Sequence, residues 1–581
     1  MTDEIKVYTY DCTPRDGVQG VGFHFGSAKD KLEYCQLTRE MLGIDIIEGG
    51  FVHPTQQPVL DFFELASRHD NVFGHLASFG MTMAPLGDVK TDKQVNALVD
   101  LKVPYITVVG KASSFNALND LGLDGKGGLR ENLRMVSETI AHIREHRPDA
   151  TIIFDGEHSF RGLLYVPDQE KLQQIDEIRP GLIFDPAYTL EVLQTAKDAG
   201  ADWIVPCDTT GWVPSNLAFR EAMEKIRGQL PEDDLGLHIH HDSARAEAST
   251  IDGVVEYGVR QVQGTFLRTG ERAGNASIQS IIGTLQVQNP NAGYTNFVCI
   301  PEENVVNLKL HTDRCAKRFR VVSDPREPYV GDYVFAHKAG MHQSGQERAG
   351  EIAHLVQPYQ NFDAGLVGNE TRMIKSDQAG KSAYRLWANG DEEKAREIAA
   401  EAKQLQSRGF VLEEAEHSFY LQLLRRWYQD IDFVDILKYR VIEEHGSEVE
   451  DSIEGTVVCK VRGMEDYAPL HVPAEGDGAV NAIDNALRKA LTPYFPELND
   501  LQLIDWDPRD IEAKLGDDIH LGTAKRVWVP IVSRFDGVNF RTGSIAESSL
   551  KASVEAIVDS YTMAVLHAKG KFDGQGVYVD K

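Results

Sequence analysis

The chain has 581 residues, of which 42% are hydrophobic, 8% aromatic and 26% charged. This composition is typical of a globular protein and excludes a disordered or fibrous chain. The formal net charge of −29 repels nucleic acid and anionic membranes, so we expect neither as a partner. No stretch approaches the ~20 apolar residues of a membrane-spanning helix, and the short acidic N-terminus does not resemble a signal peptide.

Over residues 1–285, short β-rich runs alternate with longer helical stretches. Eight runs are strand candidates: 7–10, 44–48, 72–79, 105–109, 152–155, 203–207, 235–240 and 261–265. Each is followed by a helix, or by a loop and then a helix, which predicts an α/β fold of the (β/α)8 TIM-barrel type. A doubly wound sheet is the alternative, but no Gly-rich fingerprint follows the first strand.

The remainder of the chain divides into two further regions. Residues 286–446 contain charged helical runs at 391–407 and 413–436, so we interpret them as helical linker subdomains. In residues 447–581, strand-like runs alternate with amphipathic helices, as at 455–461, 478–490, 525–533 and 548–568. This alternation predicts a separate C-terminal α+β domain.

The cysteines indicate the redox environment. All six are scattered along the chain without a Cys-x-x-Cys pair: Cys12, Cys35, Cys207, Cys299, Cys315 and Cys459. This spacing is typical of free thiols in a reducing compartment. We therefore predict a cytoplasmic protein.

Unusual polar residues follow most of the predicted barrel strands. Barrel enzymes place their chemistry at this end of the strands, so the clustering indicates an active site. The residues concerned are Arg15, Asp16, Gln19, Glu48, Lys111, Glu157, His158, Asp208, Thr209, His238, His240, His241, Asp242, Glu271, Arg272 and Asn275.

Two of these histidines lie in one strand. His238 and His240 are alternate residues, so both imidazoles project from the same face. Two histidines with one carboxylate form a standard metal-binding set, and Asp16 is the best-placed carboxylate. The alternative is a pair of structural histidines that cap the strand.

For other polar residues, the sequence allows either a catalytic or a structural role. Arg15 next to a metal ligand can stabilise a developing oxyanion, or it can form an ordinary salt bridge. Glu157, two residues beyond an apolar strand, can act as a base or be a paired structural acid. Outside the barrel, the spacing of His337, Lys338 and His342 is equally consistent with exposed linker residues.

Several motifs occur together in this chain. They are TPRDGVQ at 13–19, IEGG at 47–50, DGEH at 155–158, CDTTG at 207–211, HIHHD at 238–242, GERAGNA at 270–276, FAHKAGMH at 335–342 and PAEGDGAVNA at 473–482. Jointly they resemble the family of synthases that condense acetyl-CoA with 2-oxo acids, namely the isopropylmalate, citramalate and homocitrate synthases. The resemblance covers essentially the whole chain and is closest to the citramalate synthase branch.

The resemblance implies a role for each site residue. A divalent metal (Mg, Mn or Zn) is held by Asp16, His238 and His240, with Asn275 close to it. Arg15 stabilises the ketone oxygen of the 2-oxo acid, Thr209 holds its carboxylate, and Glu157 helps to enolise acetyl-CoA. A linker histidine, either His342 or His337, reaches into the catalytic site of the neighbouring subunit, which implies a homodimer.

The resemblance also implies a reaction and its regulation. The favoured 2-oxo acid is pyruvate, at the first step of isoleucine synthesis, with isoleucine as feedback effector in the C-terminal domain. The chain departs from the family pattern at Pro14, His241, 112–116 and 267–269. These departures leave open a 2-isopropylmalate synthase or another 2-oxo acid. A lyase of the same barrel superfamily and a non-catalytic amino-acid-binding regulator are further alternatives.

Overall fold

The structure, a computed structural model, describes residues 4–230, 235–319, 321, 323–350, 352, 357–373, 384–385, 387–445, 452–464, 468–511, 526–572 and 577–579. The chain forms two compact units. Unit 1 consists of Met1–Phe335 and Gln360–Thr371, and unit 2 consists of Ala336–Tyr359 and Arg372–Lys581. The expected border at 446/447 lies outside the described residues, and the division into 1–285, 286–446 and 447–581 stays a prediction.

Unit 1 contains a closed barrel of eight parallel strands, which confirms the predicted fold class. A short strand, β1 (Ile5–Lys6), precedes the barrel. The barrel strands are β2 (Tyr8–Asp11), β3 (Ile46–Phe51), β4 (Leu76–Met81), β5 (Tyr105–Lys111), β6 (Thr151–Glu157), β7 (Trp203–Asp208), β8 (Gly236–Ile239) and β9 (Gln261–Gly264). All eight strand candidates correspond to barrel strands. The run 72–79 begins too early, because Asp70–Phe73 is a helical turn.

Helices connect the barrel strands. They are α1 (Ala28–Leu42), α2 (Gln57–Ala66), α3 (Asp70–Phe73), α4 (Lys93–Asp100), α5 (Ser114–Leu121), α6 (Gly125–His146), α7 (Ser159–Leu164), α8 (Gln169–Ile178), α9 (Pro186–Asp198), α10 (Asn216–Arg227) and α11 (Ala246–Tyr257). Local sequence sets their ends. The Ser27 hydroxyl accepts a hydrogen bond from the Asp30 amide at the start of α1, and Gly43 ends that helix at φ +73°.

The rest of unit 1 follows the barrel. It contains α12 (Ile278–Ile282), a π-helix (Gly283–Gln288), α13 (Asn289–Asn291), β10 (Phe297–Val298), α14 (Leu308–Phe319) and 3-10 helices that include Glu302–Asn307 and Ala364–Val367. β10 pairs in parallel with β1. The apolar side chains of these segments join the core between barrel and helices. Residues beyond 285 are therefore part of the compact unit that holds the barrel.

The inside of the barrel combines an apolar layer with polar side chains near the strand ends. Tyr10, Ile153 and Val205 belong to the inner apolar cluster. Asp155 lies on the same face of β6 as Ile153, because side chains alternate along a strand, and it is 2% exposed. Buried ionisable groups are uncommon in a core, so their presence marks this end of the barrel as functional.

Unit 2 is an α+β structure with its own core. Its helices are α15 (Gly340–Ala349), α16 (Glu392–Gln406), α17 (Glu416–Trp427), α18 (Ala479–Leu491) and α19 (Ser549–Ala568). Its strands are β11 (Ala336–His337), β12 (Arg372–Met373), β13 (Val434–Glu444), β14 (Ser452–Val461), β15 (Leu470–Glu475), β16 (Gln502–Trp506), β17 (Arg509–Ile511), β18 (Arg526–Phe535) and β19 (Val538–Ala546). β11 pairs with β12, β13–β15 form one antiparallel sheet, and β16–β19 form another.

One predicted helix in unit 2 is partly wrong. The run 413–436 is helical only over Glu416–Trp427, and Tyr428 is already extended. From Val434 the chain forms β13, which pairs antiparallel with β14, from Val434 opposite Val461 to Glu444 opposite Ser452. A strand that is stabilised by pairing with a distant segment leaves little signal in local periodicity, which explains the error.

None of the described helices is both long and apolar enough to span a lipid bilayer. This agrees with the absence of a long apolar run in the sequence.

Candidate active site at the barrel mouth

Three side chains converge where β2 and β8 end. The Nε2 atoms of His238 and His240 are 3.3 Å apart, and each faces Asp16 Oδ2, at 3.5 Å and 3.9 Å. One ligand atom from each residue lies within 4.8 Å of the others, and all three residues are buried. The fold therefore brings together the three residues that were predicted to bind a metal. Among the described residues, this is the only cluster of side chains that could hold a metal ion.

A second layer of side chains fixes the orientation of His238. Its Nδ1 lies 3.1 Å from Gln263 Oε1, and Gln263 Nε2 donates to Asp155 Oδ1 over 3.0 Å. An Nδ1–H that donates to Gln263 leaves the lone pair on Nε2, the atom that faces Asp16. This arrangement prepares the imidazole to bind a metal.

The donor set fits a divalent metal. Two imidazole nitrogens and one carboxylate are ligands that zinc and other divalent metals accept, and three protein ligands leave positions for substrate. The Asn275 Oδ1 is buried without a hydrogen-bond partner among the described residues, while its Nδ2 donates to Asp16 Oδ1 over 3.1 Å. Asn275 therefore lies beside the cluster with a free oxygen, as expected for a residue close to the metal.

Arg15 occupies a buried position next to these residues. Its Nε donates to Glu48 Oε2 over 2.8 Å, and its Nη1 lies 3.1 Å from Asp16 Oδ2. The guanidinium also stacks on Phe79, with Cζ 3.8 Å from the ring centroid. These contacts hold a permanent positive charge in one orientation, as stabilisation of an oxyanion requires.

Burial and mutual charge set the ionisation states here. Burial alone raises the pKa of Asp16, but the charges of Arg15, His240 and His238 bring it down to about 2. Burial and the neighbouring His240 lower the pKa of His238 to about 3. The site therefore presents an ionised carboxylate and a neutral imidazole at neutral pH, and these are the forms that bind metals.

A tight loop after β9 presents Asn275 to the cluster. A Cβ on Gly274, at φ +82°, would lie 1.7 Å from the Arg268 carbonyl oxygen. A Cβ on Gly270, at φ +136°, would lie 2.3 Å from Asn275 Nδ2. Only glycine fits both positions, which gives a physical reason for the glycines around Glu271 and Arg272.

Glu157 and Thr209 lie at the ends of neighbouring strands, β6 and β7. Glu157 forms an ion pair with Lys111, with 2.5 Å between Oε2 and Nζ. The Thr209 hydroxyl accepts a hydrogen bond from the His158 amide over 2.9 Å. The structure thus places both residues at the barrel mouth, each with a partner, Lys111 or His158, that also lies at the end of a barrel strand.

The linker histidines lie in unit 2. His342 stacks on Tyr359, with 4.1 Å between ring centroids and an 18° angle between planes. His337 is buried and lies 6.2 Å from His342, measured between ring centroids. The role of either residue in a neighbouring subunit stays a prediction.

Sequence reasoning missed several contributors to the site. Phe79 and Gln263 received no role, and Glu48 was noted only for its position. Glu48 is fully buried, and Tyr10 donates to its Oε1 over 3.1 Å. A glutamate at the end of an apolar run (Ile46, Ile47) was the one available signal, since apolar aromatic and amide residues look like ordinary core.

Two departures from the family pattern contact the same carboxylate. His241 Nδ1 lies 2.9 Å from Glu247 Oε2, and Arg268 Nε lies 2.5 Å from Glu247 Oε1. Arg268 also pairs with the buried Glu327 over 2.8 Å. The changed residues therefore belong to one ion-pair network that ties the chain after β8 to the loop after β9.

Unit 2 contains a cavity of about 590 Å³. Its walls combine apolar side chains such as Ile545 and Val558 with cationic ones such as Arg408 and Arg526. Glu555, which contacts Ser544, supplies negative charge. A cavity with both charges and an apolar wall suits a small zwitterion with an apolar side chain.

Fold and site together define a barrel enzyme of the metal-dependent kind. An HMGL-like family model matches residues 181–306, and the LeuA allosteric (dimerisation) domain matches residues 415–565. An HMG-CoA lyase structure from Brucella melitensis is matched over 54% of this chain and 99% of that one, with 16% identity and a TM-score of 0.40.

Relatives extend over nearly the whole chain. An (R)-citramalate synthase of Aquifex aeolicus is 32% identical over 96% of this chain and 97% of that protein. The (R)-citramalate synthase of Geobacter sulfurreducens is 30% identical over 98% and 99%. A 2-isopropylmalate synthase of Listeria welshimeri is 26% identical over 87% and 88%. The chain belongs to the (R)-citramalate synthase family.

Proposed function

We propose that this chain condenses acetyl-CoA with pyruvate and hydrolyses the resulting thioester to (R)-citramalate and free CoA. The observation that carries the proposal is the full-length similarity to (R)-citramalate synthases together with the convergence of Asp16, His238 and His240. The 2-isopropylmalate synthases are matched less well, at 26% identity. The matched LeuA domain at 415–565 favours a synthase over a lyase, which needs no such domain.

Residues at the ends of β2, β7 and β8 activate the 2-oxo acid. A divalent metal (Mg, Mn or Zn) held by Asp16, His238 and His240 would polarise the ketone as a Lewis acid. The Arg15 guanidinium stabilises the negative charge that develops on the ketone oxygen. Thr209 holds the substrate carboxylate, since its hydroxyl lies at the mouth of the barrel.

Glu157 acts on the other substrate. Its carboxylate takes a proton from the methyl group of acetyl-CoA, and the resulting enolate attacks the ketone carbon of pyruvate. The ion pair with the Lys111 ammonium holds the Glu157 carboxylate in position at the end of β6. Water then attacks the thioester carbonyl and releases CoA, which makes the condensation irreversible.

Regulation and assembly are further parts of the proposal. The chain forms a homodimer in the cytoplasm, where its six buried free cysteines stay reduced. In that dimer His342, or alternatively His337, completes the neighbouring subunit's site. Isoleucine acts as feedback effector in unit 2, and the 590 Å³ cavity is the candidate position for it.

The test is acetyl-CoA-dependent release of free CoA by the purified protein with Mg, Mn or Zn. Pyruvate, 2-oxobutyrate, 2-oxoisovalerate, glyoxylate and 2-oxoglutarate are compared as acceptors. We expect CoA release with pyruvate to exceed that with every other acid. Preference for 2-oxoisovalerate would change the assignment to a 2-isopropylmalate synthase, and no release with any acid would overturn the condensation itself.

A further inference from the structure

A cluster of aromatic rings surrounds one arginine at the barrel mouth, apart from the metal-binding cluster. The Cζ of Arg161 lies 5.4 Å from the ring centroid of Phe115, 5.7 Å from that of Tyr165 and 5.4 Å from that of Trp212. Phe184 stacks on Phe115, with 5.0 Å between centroids and 15° between planes. We call these five residues the Arg161 cluster. No role was assigned to any of them above.

The Arg161 cluster belongs to the face of the barrel that carries the chemistry. Arg161 lies on α7, four residues after Glu157, the last residue of β6. Phe115 follows β5 and Trp212 follows β7, so three consecutive barrel strands contribute to the cluster. A ligand bound here therefore lies on the same side of the barrel as Glu157.

Hydrogen bonds hold the rings in place. The Trp212 amide donates to Asp208 Oδ1 over 2.6 Å. The Asp185 amide, next to Phe184, donates to the Ser114 hydroxyl over 2.8 Å, next to Phe115. These bonds fix the loops that carry Trp212 and Phe184, so the stacking surface exists before any ligand arrives.

The guanidinium at the centre is available to an anion. In the described part of the chain, the Arg161 guanidinium forms no hydrogen bond or ion pair, although three rings contact it. Three arginines at the same mouth, Arg15, Arg268 and Arg272, pair with carboxylates instead. Trp212 is 37% exposed, so one side of the cluster is open to solvent.

We propose that the Arg161 cluster binds the adenine nucleotide portion of the CoA thioester. A purine stacks on aromatic faces, and a guanidinium is suited to phosphate because its planar fork donates two hydrogen bonds. CoA carries a purine and phosphates together, whereas a small 2-oxo acid offers only a carboxylate. The acyl group then extends from the cluster towards Glu157. This inference rests on the proposed function, because it takes acetyl-CoA as a substrate.

The first test measures CoA binding without turnover. Titration of the purified protein with CoA, in the absence of any 2-oxo acid, is followed by calorimetry and by tryptophan fluorescence. We expect a saturable quench that Trp212→Phe abolishes, and Arg161→Gln weakens CoA binding about tenfold to a hundredfold because a charged hydrogen bond is lost. Arg220→Gln is the matched control, since Arg220 pairs with Glu256 on the exposed side of α10.

Kinetics separate the two substrates. Arg161→Gln raises the KM for acetyl-CoA by a similar factor and leaves the KM for pyruvate within about twofold of the wild type. Adenosine 3′,5′-bisphosphate, tested on the unaltered protein, competes with acetyl-CoA and not with pyruvate. This arm needs no variant, so it remains informative even if Arg161→Gln does not fold.

The outcomes distinguish the two proposals. Wild-type CoA affinity in a folded Arg161→Gln variant, or a change in the pyruvate KM alone, overturns the cluster as a CoA site. CoA binding that depends on Arg161 in a protein that condenses no 2-oxo acid leaves the CoA site standing and removes the proposed function. Competition by the bisphosphate against pyruvate would place the nucleotide elsewhere and also contradict the inference.

Discussion

The barrel mouth and unit 2 use charge in opposite ways. At the mouth, Asp16, Glu48 and His238 are each 5% exposed or less, so their charges act on one another through protein. In unit 2, the cations of the cavity, such as Arg408 and Arg526, are exposed to water. Charge interactions are strong where water is excluded and weak where it is not. Substitutions at the mouth should therefore have much larger effects than those in unit 2.

The largest effect is expected from His238→Ala. Loss of one of three ligands removes the metal's stabilisation of charge, so kcat should fall by about 10³-fold or more. Metal binding, measured by calorimetry, should weaken in parallel while the circular dichroism spectrum stays that of the wild type. His146→Ala, on the exposed side of α6, is the control. Full activity of His238→Ala would contradict the metal assignment.

Arg15→Lys tests whether shape matters as well as charge. Lysine keeps the positive charge but cannot hold Glu48 and Asp16 with one planar fork or stack in the same way on Phe79. We expect kcat to fall about 10²-fold at saturating pyruvate. Arg134→Lys on α6, where the arginine pairs with Glu131 and Glu138, should change kcat little. Equal kcat values for Arg15→Lys and Arg134→Lys would show that a positive charge at position 15 is enough for catalysis, whatever the shape of the side chain.

A third prediction concerns stability and pH. Burial and the nearby Glu48 charge raise the pKa of Asp155 to about 8. An unfolded aspartate has a pKa of about 3.9, so the folded protein binds this proton more tightly. The stabilisation is complete below about pH 3.9 and is lost as pH rises through 8.

Urea unfolding of the metal-free protein between pH 6 and 9 measures this effect. The free energy of unfolding should decline with rising pH, and Asp155→Asn should flatten the decline because the substituted side chain does not titrate. The Gln263 contact to residue 155 remains possible in the variant, since asparagine also offers an acceptor oxygen. An unchanged slope in Asp155→Asn would assign the pH dependence to another group.

The smallest effect on catalysis is expected in unit 2. Glu555→Gln removes the negative charge that Glu555 contributes to the cavity, so the inhibition constant for isoleucine should rise about tenfold. The kcat without isoleucine should stay within about twofold of the wild type. Lys438→Gln, on the exposed side of β13, is the control, since it also replaces an exposed charged side chain of unit 2 with a neutral one. Unaltered inhibition in Glu555→Gln would move the effector site away from this cavity.

The barrel and the convergence of Asp16, His238 and His240 could be predicted from the sequence for identifiable reasons. Parallel barrel strands are short apolar runs, and every one of them was visible locally. His238 and His240 could be paired because alternation in a strand is fixed geometry. The contacts of Arg15 with Glu48 and Phe79 could not be predicted, since they join separate strands and depend on how the barrel closes.

The C-terminal region was harder to predict. The start of β13, at Val434–Ile436, was taken for the end of a helix, because the pairing of β13 with β14 leaves little signal in the local sequence. Glu247 joins two departures from the family pattern, His241 and Arg268, that are 27 residues apart in sequence. The sequence around His241 or Arg268 therefore does not predict that both side chains contact Glu247.

The chain order of the two units has a consequence for synthesis. Unit 1 is not complete at Phe335, since it also includes Gln360–Thr371, which follow a segment of unit 2. Within unit 1, the side-chain Nδ2 of Asn369 donates to the backbone carbonyl oxygens of Tyr329 and Gly331 over 3.1 Å and 3.0 Å. On the ribosome, the N-terminal unit can therefore complete its fold only after residue 371 has emerged. By then the first segment of unit 2, Ala336–Tyr359, has already been synthesised.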